Sequence, residues 1–308
     1  MSYHTPALLN ESIEGLNIRP EGVYVDATFG GGGHSRAILE RLGSGRLFAL
    51  DQDADALANA PDDKRLTLSH GNFRFLQNYL AHHGFRQVDG ILADLGVSSH
   101  HFDVAARGFS FRYNDAPLDM RMNVGAQLTA KVVVNQYKED RLEYIFAQYG
   151  EIPDASRIAR QIAVARKKEV INTIGQLIEI IKVCIPRGAE NKYLAKLFQA
   201  FRIEVNGELE NLKSLLMQSV KLLRQGGRLV IIAYHSLEDR LVKNFFKNGI
   251  FEGNAEKDVY GNVNAPFRAL NNRAIVPSDK EIEINNRSRS AKLRIAERID
   301  YCDGKTLC

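Results

Sequence analysis

The chain has 308 residues, enough for one large domain or two ordinary ones, and its 44% hydrophobic and 25% charged residues exclude a disordered or fibrous polymer. No apolar run approaches the roughly 20 residues of a membrane span, and "MSYHTPALLNESIEG" lacks the basic stretch and apolar core of a secretory signal, so a cytoplasmic protein without membrane contact is expected. The formal net charge of +4 admits a nucleic-acid partner without requiring one, and the three cysteines, Cys184, Cys302 and Cys308, form neither a disulfide framework nor a zinc pattern.

Residues 23–94 alternate in a regular rhythm. The strand candidates are "VYVDA" (23–27), "RLFAL" (46–50), "LTLSHG" (66–71) and "VDGILADLG" (88–96). Between them lie helical stretches, "HSRAILERLG", "DQDADALANA" and "FRFLQNYLAHHG". Strands separated by helices in this way predict βαβ units and a parallel sheet. From residue 115 to 207 the strands stop and "EDRLEYIFAQYG", "DASRIARQIAVARKKEV" and "TIGQLIEIIKVCI" read as helices, with Asp154 and Thr173 as N-caps. A long amphipathic helix, "ELENLKSLLMQSVKLLRQGG", is expected to stop at Gly226-Gly227 and to lead into a buried strand, "RLVIIAYH" (228–235). A helix "SLEDRLVKNFFK", a loop over 252–272 and a last strand after "RSRSAKLRIAER" complete the chain. The expected organisation is α/β: a domain of residues 1–114 and 208–308, interrupted by an all-helical insertion, 115–207.

"DATFGGGGHS" (26–35) follows a strand and opens a helix, where N–H groups point outward toward a ligand. A dinucleotide fingerprint needs G-x-G-x-x-G or a final alanine. Gly30-x-Gly32 leads to Ser35 and Gly31-x-Gly33 to Arg36, so both frames fail. Asp26, Gly30 and Gly32 fit the D-x-x-x-G-x-G loop of S-adenosylmethionine-dependent enzymes instead. Asp51, ending the second strand, can accept both ribose hydroxyls of an adenosine, and Phe73 in "GNF" is placed to stack on its adenine. The plain alternatives are a helix cap for Asp51 and a core aromatic for Phe73. "ADLGVSSHHFD" (93–103) ends the fourth strand with Asp94 facing the cleft and Ser98, Ser99, His100 and His101 beside it. The [D/N/S]-P-P-aromatic motif of amino-group methyltransferases is absent, so these residues alone do not name the methylated atom. Adjacent histidines rarely face one site, so no metal is expected.

Further blocks carry a resemblance: "HTPALL", "DLGVSS", "RGFSFR", "PLDMRM", "FQAFRI", "GGRLVIIAYHSLEDR" and "RSRSAKLR", with the glycine loop. In this order, and over nearly the whole chain, the sequence resembles the ribosomal RNA small-subunit methyltransferase H, or MraW, family. The resemblance implies a Rossmann-like class I methyltransferase sheet with helices on both faces. It implies transfer of a methyl group from S-adenosylmethionine, leaving S-adenosylhomocysteine, to N4 of a cytidine in 16S ribosomal RNA, within the small ribosomal subunit. Carried over by position, cofactor contacts fall on Gly32, Gly33, His34, Asp51, Phe73, Asp94 and His101. The family usually reads S-P-Q-L-D where this chain has Ser99-His100-His101-Phe102-Asp103, so His101 stands in for a glutamine.

Asp94, Ser98 and Ser99 are the expected acceptors for the cytosine amino group, and His235, at a strand end, is a second proton-handling candidate beside a capping role. RNA contact is expected from Arg157, Arg160 and Lys167 on the insertion, from Arg287, Arg289 and Lys292 with Arg294 near the C-terminus, and from Arg107, Arg112 and Arg121 around the active loop. The insertion is also a surface on which a homodimer could form. Two other classes compete. A nicotinamide oxidoreductase is disfavoured by the failed third glycine, and a non-catalytic RNA-binding assembly factor by the intact loop and Asp51.

Overall fold

The computed structural model describes residues 6–253, 255 and 263–300; Cys302, Cys308 and the first two residues of "HTPALL" lie outside the described residues. The chain runs through α1 (Leu9–Leu16), β1 (Val23–Asp26), α2 (Gly33–Arg41), β2 (Arg46–Asp51), β3 (Leu66–His70), α3 (Leu76–His82) and β4 (Val88–Asp94). A helical stretch follows: α4 (Ser99–Asp103), α5 (Ala130–Gln136), α6 (Glu139–Gln148), α7 (Ala155–Ala165), α8 (Ile174–Ile181) and α9 (Glu190–Asn206). The remainder comprises α10 (Glu208–Leu222), β5 (Leu223–Ala233), α11 (Ser236–Asn248), β6 (Phe267–Ala269), α12 (Asp279–Ile284) and β7 (Lys292–Arg298). Two compact units result, one from Met1–Gly96 with Leu209–Cys308 and one from Val97–Glu208.

The first unit is built on a sheet of order β3-β2-β1-β4-β5-β7-β6. Strands β1 to β5 pair in parallel, and β7 runs antiparallel between β5 and β6. This is the class I methyltransferase sheet. Successive strand residues point to opposite faces, and the apolar runs serve two cores at once. Val25, Phe48, Ile91 and Ile231 pack with helix residues such as Leu80, Leu216 and Phe245 on one face. Tyr24, Leu47, Leu92 and Val230 pack with Ile13, Leu16 and Ile38 on the other. Both faces are covered, which is why these strands read as continuous hydrophobic runs rather than alternating ones. Each buried Leu, Ile or Phe contributes roughly 1.5–3 kcal/mol over an exposed one.

The second unit has its own helical core, including Val133, Phe146, Ile158, Leu177 and Phe201. It starts at Val97 rather than at residue 115, because Phe109 is buried in that core and Phe102, Phe111 and Tyr113 pack against it. Thr173 caps α8 in a reciprocal box with Gln176. Asp154 stands at the start of α7 without a side-chain cap, its carboxylate instead accepting from the Tyr193 hydroxyl at 2.9 Å.

Elsewhere the chain departs from its periodicity. Residues 54–59 form a 3-10 turn opened by Asp53, whose carboxylate accepts from the Asp55 N–H, rather than an α-helix. The long helix α10 ends at Leu222, before the glycines, because Leu223 already pairs with Val88 and a register shift follows on β4. Gly226 then turns at φ 77, inside the strand instead of at a helix end.

Candidate active site

Ligands of doubly wound sheets bind beyond the carboxyl ends of the strands, where the strand order reverses. Here the chain winds outward from β1 to β3 and returns to β4, so the reversal lies between β1 and β4. Acidic residues end three strands in this region: Asp26 on β1, Asp51 on β2 and Asp94 on β4.

The glycine loop is held from below. After β1 the backbone stays wedged in the sheet, Ala27 donating to the Leu92 carbonyl at 2.8 Å and Phe29 to that of Leu50 at 3.0 Å. Asp26 has no exposed surface; its carboxylate accepts from the Ser35 hydroxyl at 2.7 Å and from the Thr28 N–H at 3.1 Å. Burial pushes its carboxyl up to about 6, with those hydrogen bonds opposing and Asp51 adding to the rise. Asp26, expected at the cofactor, is therefore spent on anchoring the loop. Gly32 enters α2 at φ 74, a conformation that side chains resist. At Gly33 a Cβ would lie 2.2 Å from Pro6 Cγ, so the residue is small because the N-terminal segment packs against it.

Asp51 accepts from the Gly30 N–H at 2.7 Å through Oδ2 and from the Asp53 N–H at 2.9 Å through Oδ1. Gly71 donates to the Asp51 carbonyl at 2.8 Å, which sets the end of β3 against the end of β2. Just beyond, Asn72 caps a short 3-10 turn and donates to Gln52 Oε1 at 2.7 Å, and Phe73 begins that turn, half-buried against the core. The Gln218 side chain donates to the Phe73 carbonyl at 3.3 Å and fixes the turn further.

Asp94 keeps 22% of its side chain exposed, yet its carboxyl is pushed up to about 7. Desolvation is the main cause, opposed by a hydrogen bond from Tyr234 and reinforced by Asp26 and Glu238. The Tyr234 hydroxyl donates to Asp94 Oδ1 at 2.8 Å, and the Asp94 N–H donates to Thr28 Oγ1 at 2.6 Å. His34, in the first turn of α2, is buried, with Nδ1 3.8 Å from Asp94 Oδ2. Burial lowers its imidazole to about 4 against the opposing backbone of Ala7, so the ring is neutral at pH 7.

His235 has the geometry of a helix cap. Its Nδ1 accepts from the Glu238 N–H at 3.4 Å, while Glu238 Oε2 accepts from the N–H groups of Tyr234 and His235. Its Nε2 lies 3.3 Å from Glu238 Oε1, with 6% of the side chain exposed. Sequence reasoning missed Tyr234 and Glu238. The residue three places after a strand-end histidine was the available signal, since an N-cap side chain and a carboxylate at that spacing satisfy each other's backbone.

The remaining candidates belong to the helical unit. Ser98 caps α4 reciprocally with His101: the serine side chain accepts from the His101 N–H, and the Ser98 N–H donates to His101 Nδ1 at 3.2 Å. His101 is buried with its ring centroid 4.8 Å from that of Phe109. Ser99 begins α4, and its side chain lies outside the described residues.

The basic residues divide. Arg107 is buried and donates to the Arg121 and Met122 carbonyls at 3.1 and 2.8 Å, so it braces the loop instead of meeting RNA. Arg121 is clamped by Asp119 and donates to the carbonyls of Val124 and Ala126. Arg294 is buried, donating to Asp239 at 2.6 Å. Arg112, Arg157, Arg160 and Lys167 are exposed on the helical unit, and Arg287 and Arg289 on the sheet unit. The Lys292 ammonium lies 3.6 Å from Asp239 and is 43% exposed. Among the described residues no helix is long and apolar enough to cross a membrane.

Comparison with known proteins bears directly on this arrangement. The model of the MraW methylase family matches residues 1–299. Ribosomal RNA small subunit methyltransferase H of Parabacteroides distasonis is 56% identical over 299 residues, covering 96% of this chain and 98% of that protein. The protein of the same name from Bacteroides thetaiotaomicron is 57% identical over 299 residues, covering 97% and 98%. Among solved structures, an rRNA methylase from Streptococcus thermophilus superposes with a TM-score of 0.41 at 13% identity, covering 95% of this chain and 94% of that one. With a family match over residues 1–299, and relatives more than half identical across nearly their full length, this chain belongs to the MraW methylase family.

Proposed function

We propose that the strand ends of β1, β2 and β4 hold S-adenosylmethionine, and that Asp94 receives the amino group of the cytosine being methylated. As a member of its family the chain is an S-adenosylmethionine-dependent methyltransferase acting on N4 of a cytidine in 16S ribosomal RNA, with S-adenosylhomocysteine as the other product. The residues fit this cofactor. It carries sulfonium and ammonium cations, and Asp94 is a desolvated carboxyl whose ionised form a nearby cation favours. S-adenosylmethionine supplies the methyl group, whose bond to sulfur breaks as the bond to N4 forms.

The chain's own residues do the rest. The N–H groups of Gly33 and His34 open α2 with no carbonyl partner inside the helix, which suits them to a carboxylate. Asp51 accepts from ribose hydroxyls, and Phe73 offers its face to adenine. Asp94 accepts a hydrogen bond from the cytosine amino group, which raises the nucleophilicity of a nitrogen conjugated to the ring and gives its departing proton a destination. Holding both reactants in line is worth about 7–11 kcal/mol of the barrier. Glu238 and His235 set the start of α11 and thereby the end of β5; Ser98 and His101 set the start of α4.

The target base must leave its stack to be reached. Arg112, Arg157, Arg160 and Lys167 on the helical unit, and Arg287, Arg289 and Lys292 on the sheet unit, are the cations we assign to the RNA backbone, with the assembled small subunit as the substrate. The observation that carries this reading is Asp94, a desolvated carboxyl at the strand reversal beside the glycine loop. The test is mapping of cytidine methylation on purified small subunits and on free 16S RNA, with wild type and Asp94→Asn. Methylation of one cytidine by wild type alone supports the reading. Equal methylation by both proteins refutes the role of Asp94, and preference for free RNA refutes the assembled substrate.

A further inference from the structure

We propose that Tyr234 is a positioning residue for methyl transfer, its phenol holding the Asp94 carboxylate so that Oδ2, and not Oδ1, meets the amino group. The proposal rests on the reading of Asp94 given above. Strands β4 and β5 are parallel neighbours with Asp94 opposite Ile232, so Tyr234 stands just past the end of β5 and beside the end of β4. Its backbone is pinned, the Tyr234 N–H donating to Glu238 Oε2 at 2.9 Å. Its ring lies against Gly96, where the backbone has φ 109 and a Cβ would sit 3.1 Å from Tyr234 Cδ2. From this fixed base the hydroxyl reaches Asp94 Oδ1 at 2.8 Å. Oδ2 lies 3.8 Å from His34 Nδ1, too long for a hydrogen bond. Among the described residues, Tyr234 commits one carboxylate oxygen by a hydrogen bond, and we assign the other to the amino group.

The carboxyl torsion of an aspartate is broad and roughly two-fold. Without the phenol, the hydrogen bond that commits Oδ1 is gone, and the acceptor is no longer preset. Methylation replaces one N4–H by N4–CH3, so a proton must leave N4, and an ionised Oδ2 is the atom placed to take it. The groups around Asp94 come from several elements: Asp26 from β1, Glu238 from α11, His34 from α2 and Tyr234 itself. Asp26 and Glu238 favour the protonated acid, His34 is neutral, and Tyr234 is the group favouring the carboxylate. Tyr234 stays a donor at all working pH values, because burial and the nearby Asp94, Glu238 and Glu281 raise its phenol well above the usual range.

The experiment is a carbon-13 NMR titration of the Asp94 carboxyl in the ligand-free protein, identified by its loss in Asp94→Asn, for wild type and Tyr234→Phe. The expected result is an apparent pKa about one unit higher in Tyr234→Phe. The acid limb of kcat moves with it, the rate below that limb falls about tenfold, and S-adenosylmethionine affinity stays near that of wild type. A 3-fluorotyrosine placed at 234 keeps the ring shape, makes the hydroxyl a stronger donor and should move the carboxyl the opposite way. An unmoved carboxyl titration in both variants overturns the proposal, and so does cofactor affinity lost in step with rate. Full turnover by Asp94→Asn overturns the underlying reading and the proposal together. An inactive Asp94→Asn beside an unshifted Tyr234→Phe overturns the proposal alone.

Discussion

Asparagine at position 94 removes a charge that the fold holds at a cost, and the cost can be measured apart from catalysis. In the folded protein the Asp94 carboxyl is raised from 3.8 to about 7, mainly by desolvation. An acid raised on folding holds its proton in the native state while the unfolded chain has released it. Native stability therefore falls as pH climbs from about 4 and levels off above about 7. At 1.36 kcal/mol per pKa unit the whole penalty is at most about 4 kcal/mol, and relaxation around a side chain that is 22% exposed will reduce it. Asparagine has no charge to desolvate, and its carbonyl can still accept from Tyr234. The expected outcome is that Asp94→Asn gains on wild type steadily across that window. Asp26, raised in the same direction, and His34, lowered and so opposite in sign, are present in both proteins, so only their coupling to Asp94 enters the difference. The assay is urea unfolding of ligand-free protein at several pH values between 4 and 8, comparing midpoints at unchanged slope. A stability difference that stays constant with pH would refute the reasoning.

Gly33→Ala should destabilise by about 1–3 kcal/mol, because the added methyl would sit 2.2 Å from Pro6 Cγ; thermal unfolding of the ligand-free protein checks it. Asp51→Ala should weaken S-adenosylmethionine binding by at least about tenfold, since a hydrogen bond to a charged group is worth roughly 1.5–3 kcal/mol. Titration calorimetry measures it, and unaltered affinity would remove Asp51 from the ribose. Arg107→Ala and Arg160→Ala should separate bracing from RNA contact. Loss of the buried Arg107 should cost about 1–3 kcal/mol of stability by leaving loop carbonyls unpaired. Loss of the exposed Arg160 should leave stability within about 0.5 kcal/mol and lower the salt dependence of RNA binding.

The parallel half of the sheet was legible because strands covered on both faces leave unbroken apolar runs, as in "RLFAL" and "VDGILADLG". The glycine loop and Asp51 were legible because their chemistry is local: Gly30 follows β1, Asp51 ends β2, and the two meet through one hydrogen bond. What escaped was set by distant partners. Strand β6 is short and gains its place by pairing with β7, not by any pattern of its own. Helix α10 yields to β5 at Leu223, although its helical periodicity runs on, because Val88 offers a ladder partner. The exposed-looking arginines 107, 121 and 294 are indistinguishable by composition from 157 and 160, yet carbonyls or carboxylates of the fold claim them. Tyr234 lies far from Asp94 along the chain and meets it through strand adjacency alone.

The interruption of the sheet unit sets a timetable for synthesis. The helical unit is one continuous segment, Val97–Glu208, complete before β5 leaves the ribosome. Until then β4 ends the nascent sheet as an open edge, an invitation to mispairing. When β5 arrives it inherits that exposure, and only β7, among the last residues described, slots between β5 and β6 to close it. Partners so far apart in sequence must find each other late and slowly. Asp94 waits long for its neighbour: the tyrosine that fixes it is translated only after every residue of the intervening helices.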